Sequence, residues 1–201
     1  MTMTIRATRP DDFRSTEELL RDAFWDLYRP GCVEHLLAHQ ARDTTGLLVD
    51  LVAFEDGELF GSLIVTRAHI VGASGTETEV AYVGPIGVRP DHQRTGVGSV
   101  LMRAGLGLLI DQGYGGAFLF GDPGYYSRFG FADAVRWGIT TPDGLNFEAF
   151  MGLELREAGL AGVHGRLRES AAFEVDNEEL LAFDATFPSR ERHVLPGQFG
   201  Q

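Results

Sequence analysis

The stretch Gln93-Arg94-Thr95-Gly96-Val97-Gly98-Ser99 has the residue types and spacing of an anion site. It follows the apolar run Val83-Gly84-Pro85-Ile86-Gly87-Val88 and starts an apolar pattern of helical period. Glycines at 96 and 98 let backbone N–H groups approach a ligand with no Cβ in the way. The first N–H groups of a helix have no partner within it and sit at the positive end of its dipole. A strand, a glycine turn and a helix start therefore suit a phosphate, to which Arg94 adds a fixed charge. Two other phosphate loops do not fit. A Walker-type loop ends in Gly-Lys-Ser/Thr, which is absent, and a dinucleotide fingerprint needs a third glycine where Leu101 stands. Asp91 and His92, just ahead of the loop, fit a role in shaping its turn.

Elements on both sides must position this loop. Ile5 to Thr8 reads as a short strand, and Pro10-Asp11-Asp12 as the start of a helix carrying Phe13, Leu19, Leu20 and Ala23. Tyr28-Arg29-Pro30-Gly31 breaks that helix, and Cys32 to Ala41 reads as a second. Leu47 to Phe54 and Leu59 to Val71 are strand-like and meet at Asp56-Gly57, a hairpin signal. Val80 to Val88 is a strand in which Gly84-Pro85 marks a bulge or an edge, because proline cannot donate to the ladder. Gly96 to Gln112 is a helix with Val97, Leu101, Ala104 and Leu108 on one face, followed by a short strand at Ala117 to Phe120. A brief helix near Gly124 to Phe129 and strands around Phe131 to Thr140 and Phe147 to Leu155 complete a mixed α/β order. Asp143-Gly144, Asp176-Asn177 and the glutamates at 178 and 179 read as turn and helix-start chemistry. From about Arg156 the arrangement of the extension is not legible.

Composition limits the partners. The 201 residues fit one domain with an appendage, and the apolar fraction of 44% supplies a sizeable core. Net charge is −12, from 29 acidic and 17 basic side chains, which disfavours nucleic acid and favours a cationic substrate such as an amine. A single cysteine, Cys32, forms no internal disulfide and points to a reducing cytoplasm. No apolar run approaches the roughly 18 residues of a membrane span. No Cys/His spacing suggests a metal site.

The pattern Arg89-Pro90-x-x-Gln93-x-x-Gly96-x-Gly98 at the end of an apolar strand resembles the acetyl-CoA signature of the GNAT superfamily of N-acetyltransferases. Gly130-Phe131, with Tyr126 ahead of it, continues the resemblance, as does the element order from Ile5 to Leu155. A bacterial branch of that superfamily is closer still. The run Gly121-Asp122-Pro123-Gly124-Tyr125-Tyr126-Ser127-Arg128-Phe129-Gly130-Phe131 is similar to it almost residue for residue. Gly31-Cys32-x-Glu34-His35 and Phe150-Met151-x-Leu153-Glu154-Leu155 look like further marks of the branch.

The resemblance implies a mostly antiparallel central sheet flanked by helices. It implies an acetyl-CoA-binding acyltransferase domain over residues 1–155 and an extension over 156–201, packed on that domain or at a homodimer interface. Backbone amides of Gln93, Arg94, Thr95, Gly96, Val97, Gly98 and Ser99 would hold the pyrophosphate, and Ile86, Gly87 and Val88 would pair with the pantetheine arm. Tyr126 resembles the general acid that protonates the departing thiolate. Asp122 suits the N-cap, Pro123 the first turn and Gly130 the exit of its short helix. The general base stays open between Glu34 and Glu79, with His35 a third candidate. Adjacent helical residues face different ways, so at most one of Glu34 and His35 points into a cleft. A covalent route through Cys32 departs from the direct attack usual in the superfamily. The acceptor is expected to be an amine of a small molecule or protein. The alternative is a non-catalytic acyl-CoA-binding regulatory module.

Overall fold

The computed structural model describes residues 3–198. Its centre is a nine-stranded sheet in which β1 (Thr4–Ala7), β2 (Leu47–Glu55), β3 (Glu58–Val71) and β4 (Glu77–Val88) are antiparallel neighbours. The hairpin between β2 and β3 turns at Asp56 and Gly57, both at positive φ. β5 (Gly116–Phe120) joins β4 in parallel, and β8 (Phe150–Glu154) joins β5 antiparallel. Beyond β8 comes β6 (Ala132–Asp133). β7 (Ile139–Thr140) pairs with β9 (Gly165–Arg168), which itself adds to β3.

Alternation along the strands divides the core into two faces. On one face Leu63, Val65, Ala81, Val83, Ala117 and Leu119 pack against α3 (Val97–Asp111). On the other, Ile64, Ala68, Ile70, Val80, Tyr82 and Phe118 meet α1 (Phe13–Phe24), α2 (Glu34–Arg42) and the chain after β9. The buried stripe of α3 is Val97, Leu101, Met102, Gly105, Leu106 and Leu109, while Leu108 of the expected face is 40% exposed. Gly105 explains the rotation: a Cβ there would lie 2.5 Å from Leu63, so the helix touches the sheet along its glycine.

The single strand expected around Phe131 to Thr140 is interrupted. Asp133 accepts the Val135 N–H and caps a short 3-10 turn, which Gly138 ends at φ 66°. The residues after 155 pack on the rest of the chain. After β9, α5 (Asn177–Asp184) starts where Asp176 caps the N–H groups of Glu178 and Glu179. Asp184 then pairs with Arg21 of α1 at 2.7 Å, and Gln198 donates to the Asp26 carbonyl. Among the described residues, no helix is long and apolar enough to cross a membrane.

Candidate active site

Two strands that part company create the site. β4 and β5 are in register only at Ala81–Ala117 and Tyr82–Phe118. Between Val83 and Ile86 the register of β4 against β3 shifts, placing a bulge at Gly84-Pro85. Among the described residues, from there to Val88 the edge of β4 turned toward β5 has no strand partner. Its backbone groups are therefore available to a chain-like ligand.

The loop after β4 is held from outside. Arg89 donates to Asp91 at 2.7 Å and to Glu58 at 3.0 Å, and His92 stacks on Phe60 at 4.1 Å. Asp91 is held down to about 2, chiefly by the Arg89 hydrogen bond. The Thr95 hydroxyl donates to the His92 carbonyl and the Gln93 amide to the Val88 carbonyl. Positive φ at Arg94 (63°) and Gly96 (101°) gives the loop backbone of the kind that gathers N–H groups into a concavity. The first backbone bond into α3 runs from the Val100 N–H to Gly96, so the N–H groups ahead of it are the orphan donors of the helix start.

A cleft of about 430 Å³ lies against this loop, lined by Ile86, Val88, Gln93, Arg94, Gly96, Gly98, Ser99, Tyr125, Tyr126 and Arg128. The structure thus brings together in one cavity most of the loop residues picked out by sequence. Gly87, Thr95 and Val97 add no side chain to the cleft, which leaves them only backbone groups to offer. A Cβ on Gly87 would lie 2.7 Å from Leu20 of α1, Val97 is buried against Gly61, and Thr95 is tied back to His92.

Tyr126 ends α4 (Pro123–Tyr126), which Asp122 caps by accepting the Gly124 N–H at 2.8 Å. Gly130, at φ 94°, ends the following turn. The Tyr126 ring lies on Gly121, where a Cβ would come within 2.1 Å of the ring edge. Burial pushes its hydroxyl pKa far up, and neighbouring Tyr125, Tyr28 and Asp122 push the same way. The group stays a proton donor throughout the neutral range.

The three base candidates separate clearly. Glu34 begins α2, its carboxylate accepts the Val33 N–H at 2.9 Å, and burial raises its pKa. Burial first, and then the charges of Glu34 and Asp122, raise the pKa of Tyr28. Glu79 lies on the α3 face near the start of β4, about 10 Å along the strand from Tyr82. There it is half-exposed, ion-paired with Arg67 at 3.0 Å and bonded by the Tyr114 hydroxyl at 2.7 Å, so the fold does not bring it to the cleft. His35 is fully buried between Cys32, Asp184, Phe183 and Phe187, and burial depresses its pKa to about 4. It is a core histidine. Cys32 is buried too, and its thiol pKa is pushed far up by burial and by the charges of Glu34 and Asp184.

Several groups near the cleft carry no motif. Tyr82 and Phe120 sit on the face opposite α3, with Phe173 edge-on to Tyr82 at 4.9 Å and Phe147 stacked on Phe120 at 5.7 Å. Glu169 lies beside the Tyr82 hydroxyl, and burial raises its pKa. Alternation along β4 points to Tyr82; nothing local points to Glu169, which the fold delivers from the end of β9.

A parted β4–β5 pair, a glycine turn at the α3 start and a tyrosine across the cleft are the marks of an acetyltransferase of the GNAT type. The profile of the Acetyltransferase (GNAT) domain matches residues 4–134, and the chain belongs to that family of acetyl-CoA-dependent N-acetyltransferases. Among relatives, the N-acetyltransferase YhbS of Escherichia coli K12 is 29% identical over 164 residues, covering 81% of this chain and 93% of that protein. The crystal structure of Escherichia coli YhbS in complex with CoA is similar at a TM-score of 0.76 and 27% identity, over 85% of this chain and 91% of that one. A GNAT acetyltransferase from Brucella melitensis, solved with acetyl-CoA, is similar at 0.69 and 29% identity, over 86% and 99%.

Proposed function

We propose that the chain transfers the acetyl group of acetyl-CoA to a primary amine of a small molecule or protein by direct attack. The cleft between the α3 start, the free edge of β4 and Tyr126 carries this reading. Its donors fit the cosubstrate: orphan N–H groups over residues 94–99, with Arg94 and Arg128, suit a pyrophosphate. The edge of Ile86 to Val88 that is turned toward β5 suits an amide-bearing arm. The two relatives solved with CoA or acetyl-CoA support the same assignment. When bound, acetyl-CoA supplies an acyl group activated as a thioester.

The chain's own residues then solve two proton problems. An alkylamine with a pKa near ~10.4 arrives protonated and cannot attack. Glu34, whose raised pKa makes it a better acceptor than an exposed carboxylate, takes that proton directly or through water. As the C–N bond forms and the C–S bond breaks, Tyr126 gives its hydroxyl proton to the departing sulfur. Cys32 takes no part, because its buried thiol does not ionise at neutral pH.

Release of free thiol from acetyl-CoA, measured over a panel of primary amines, tests the reading. Turnover is expected, with Tyr126→Phe slower by about 100-fold and CoA affinity unchanged. An unchanged rate across pH would remove Tyr126 from its role. Tight CoA binding in calorimetry with no turnover on any amine supports the non-catalytic regulatory module instead.

A further inference from the structure

Glu169 lies outside the segment that the family profile matches, in the chain that follows β9. β9 is registered on β3 through His69–Arg168, and β3 is registered on β4 through Ala68–Val80 and Thr66–Tyr82. Continuing past Arg168 therefore carries Glu169 along Ala68 on the face that holds Tyr82. The carboxylate meets the Tyr82 hydroxyl there, and Phe173, four residues on, packs edge-to-face against the Tyr82 ring at 4.9 Å.

Two properties of this corner point to a ligand. Among the described residues, Glu169 has no ion-pair partner, although burial disfavours its charge. A partly buried carboxylate keeps its charge there only at a cost, which a cation from outside would offset. The second property is an aromatic surface left open beside it. Tyr82 is edge-on to Phe120 at 6.1 Å, and Phe120 stacks on Phe147 at 5.7 Å with the rings 14° apart. Phe120 is 36% exposed and Phe147 49% exposed, so this stack presents ring surface to solvent. Tyr82–Phe118 is the last β4–β5 pair before the strands part, which sets the corner next to the cleft on the side away from α3.

We propose that the C-terminal segment completes the acceptor site: Glu169, held by Tyr82, receives the ammonium group of an amine whose planar apolar body lies on the Phe120–Phe147 stack. The acceptor class is then an arylalkylamine, with a short spacer between ring and nitrogen. The aromatic faces complement both parts, since they attract a flat apolar group and a nearby cation alike. This assignment rests on the acetyltransferase reading above and names the substrate class of that site. Glu169 is a substrate-binding residue, whereas Glu34 removes the proton.

The test uses 2-phenylethylamine and n-butylamine as probes on the full chain. Calorimetry in the presence of CoA is expected to show 2-phenylethylamine binding at least about tenfold more tightly than n-butylamine. Glu169→Gln, whose amide oxygen still accepts from Tyr82, should weaken 2-phenylethylamine about tenfold or more with CoA affinity unchanged. In thiol release the same variant should raise the amine KM more than it lowers kcat. Phe147→Ala, at an exposed position, should erase the preference for the aromatic probe. Equal binding of both probes, failure of 2-phenylethylamine to bind, or Glu169→Gln without effect on 2-phenylethylamine overturns the proposal. Loss of CoA binding in the wild-type chain would overturn the cosubstrate reading instead, and that titration is run first.

Discussion

The cosubstrate side and the acceptor side of the cleft are built by different means. On the cosubstrate side a single stretch from Ile86 to Ser99 supplies the free strand edge, the glycine turn and the helix start, and Tyr126 follows closely in sequence. Its working groups are largely backbone donors, placed by strand parting and by positive φ. On the proposed acceptor side the groups are side chains from separate segments: Tyr28 and Glu34 around α2, Tyr82 and Phe120 on the sheet, Phe147 before β8, and Glu169 and Phe173 after β9. A chemistry common to many acceptors can be fixed by a local backbone device. Selection among acceptors is left to residues that converge only when the chain is folded.

Variants that disturb one side and spare the other sharpen this contrast. The largest effect is expected from Gly121→Ala, because a Cβ would sit 2.1 Å from the Tyr126 ring and force the acid out of place. We expect kcat to fall about 100-fold, near the effect of losing the hydroxyl itself, while CoA affinity in calorimetry holds. Glu34→Gln comes next. It should lower kcat/KM about tenfold to 100-fold and remove the rise in rate that follows ionisation of a carboxyl held above its usual range. A flat pH profile in the wild-type chain would contradict that role.

His35 gives a prediction about stability instead of rate. Unfolding frees it to take up a proton near its ordinary pKa of 6.5, whereas the folded chain resists protonation until about 4. The unfolded state therefore binds more protons in that window, and stability falls as pH drops from 6.5 toward 4. The loss is on the order of 3 kcal/mol, read from denaturation midpoints, and His35→Gln should remove that component. The smallest effect belongs to Glu79→Gln. Its exposed pair with Arg67 contributes under about 1 kcal/mol, and thiol release should stay within about twofold of wild type.

Much of the cosubstrate side was legible because its signals are local. The glycine turn at 96, the bulge at Gly84-Pro85 and the Asp122 cap depend on neighbours within a few residues, and each is present in the fold. The Asp56-Gly57 hairpin was readable for the same reason. The stripe of α3 was misplaced because Gly105, with no side chain to count as apolar, marks the closest approach to Leu63. Glu79 looked plausible by its place in β4, yet side-chain alternation turns it to the α3 face, where Arg67 and Tyr114 hold it. Glu169 gave no signal at all. Its position follows from β9 adding to β3, a pairing between segments about 100 residues apart, and such non-local contacts leave no period in the sequence.

The central claim, that the loop from Gln93 to Ser99 holds CoA, is tested most directly by calorimetric titration of CoA into the wild-type chain and Gly98→Val. A Cβ at position 98 already meets the Tyr125 hydroxyl at 2.8 Å, and the branched valine would stand in the cleft. One CoA per chain with a loss of at least about 100-fold in Gly98→Val is the predicted result. Equal affinity in the two proteins, or no binding in the wild type, would contradict it.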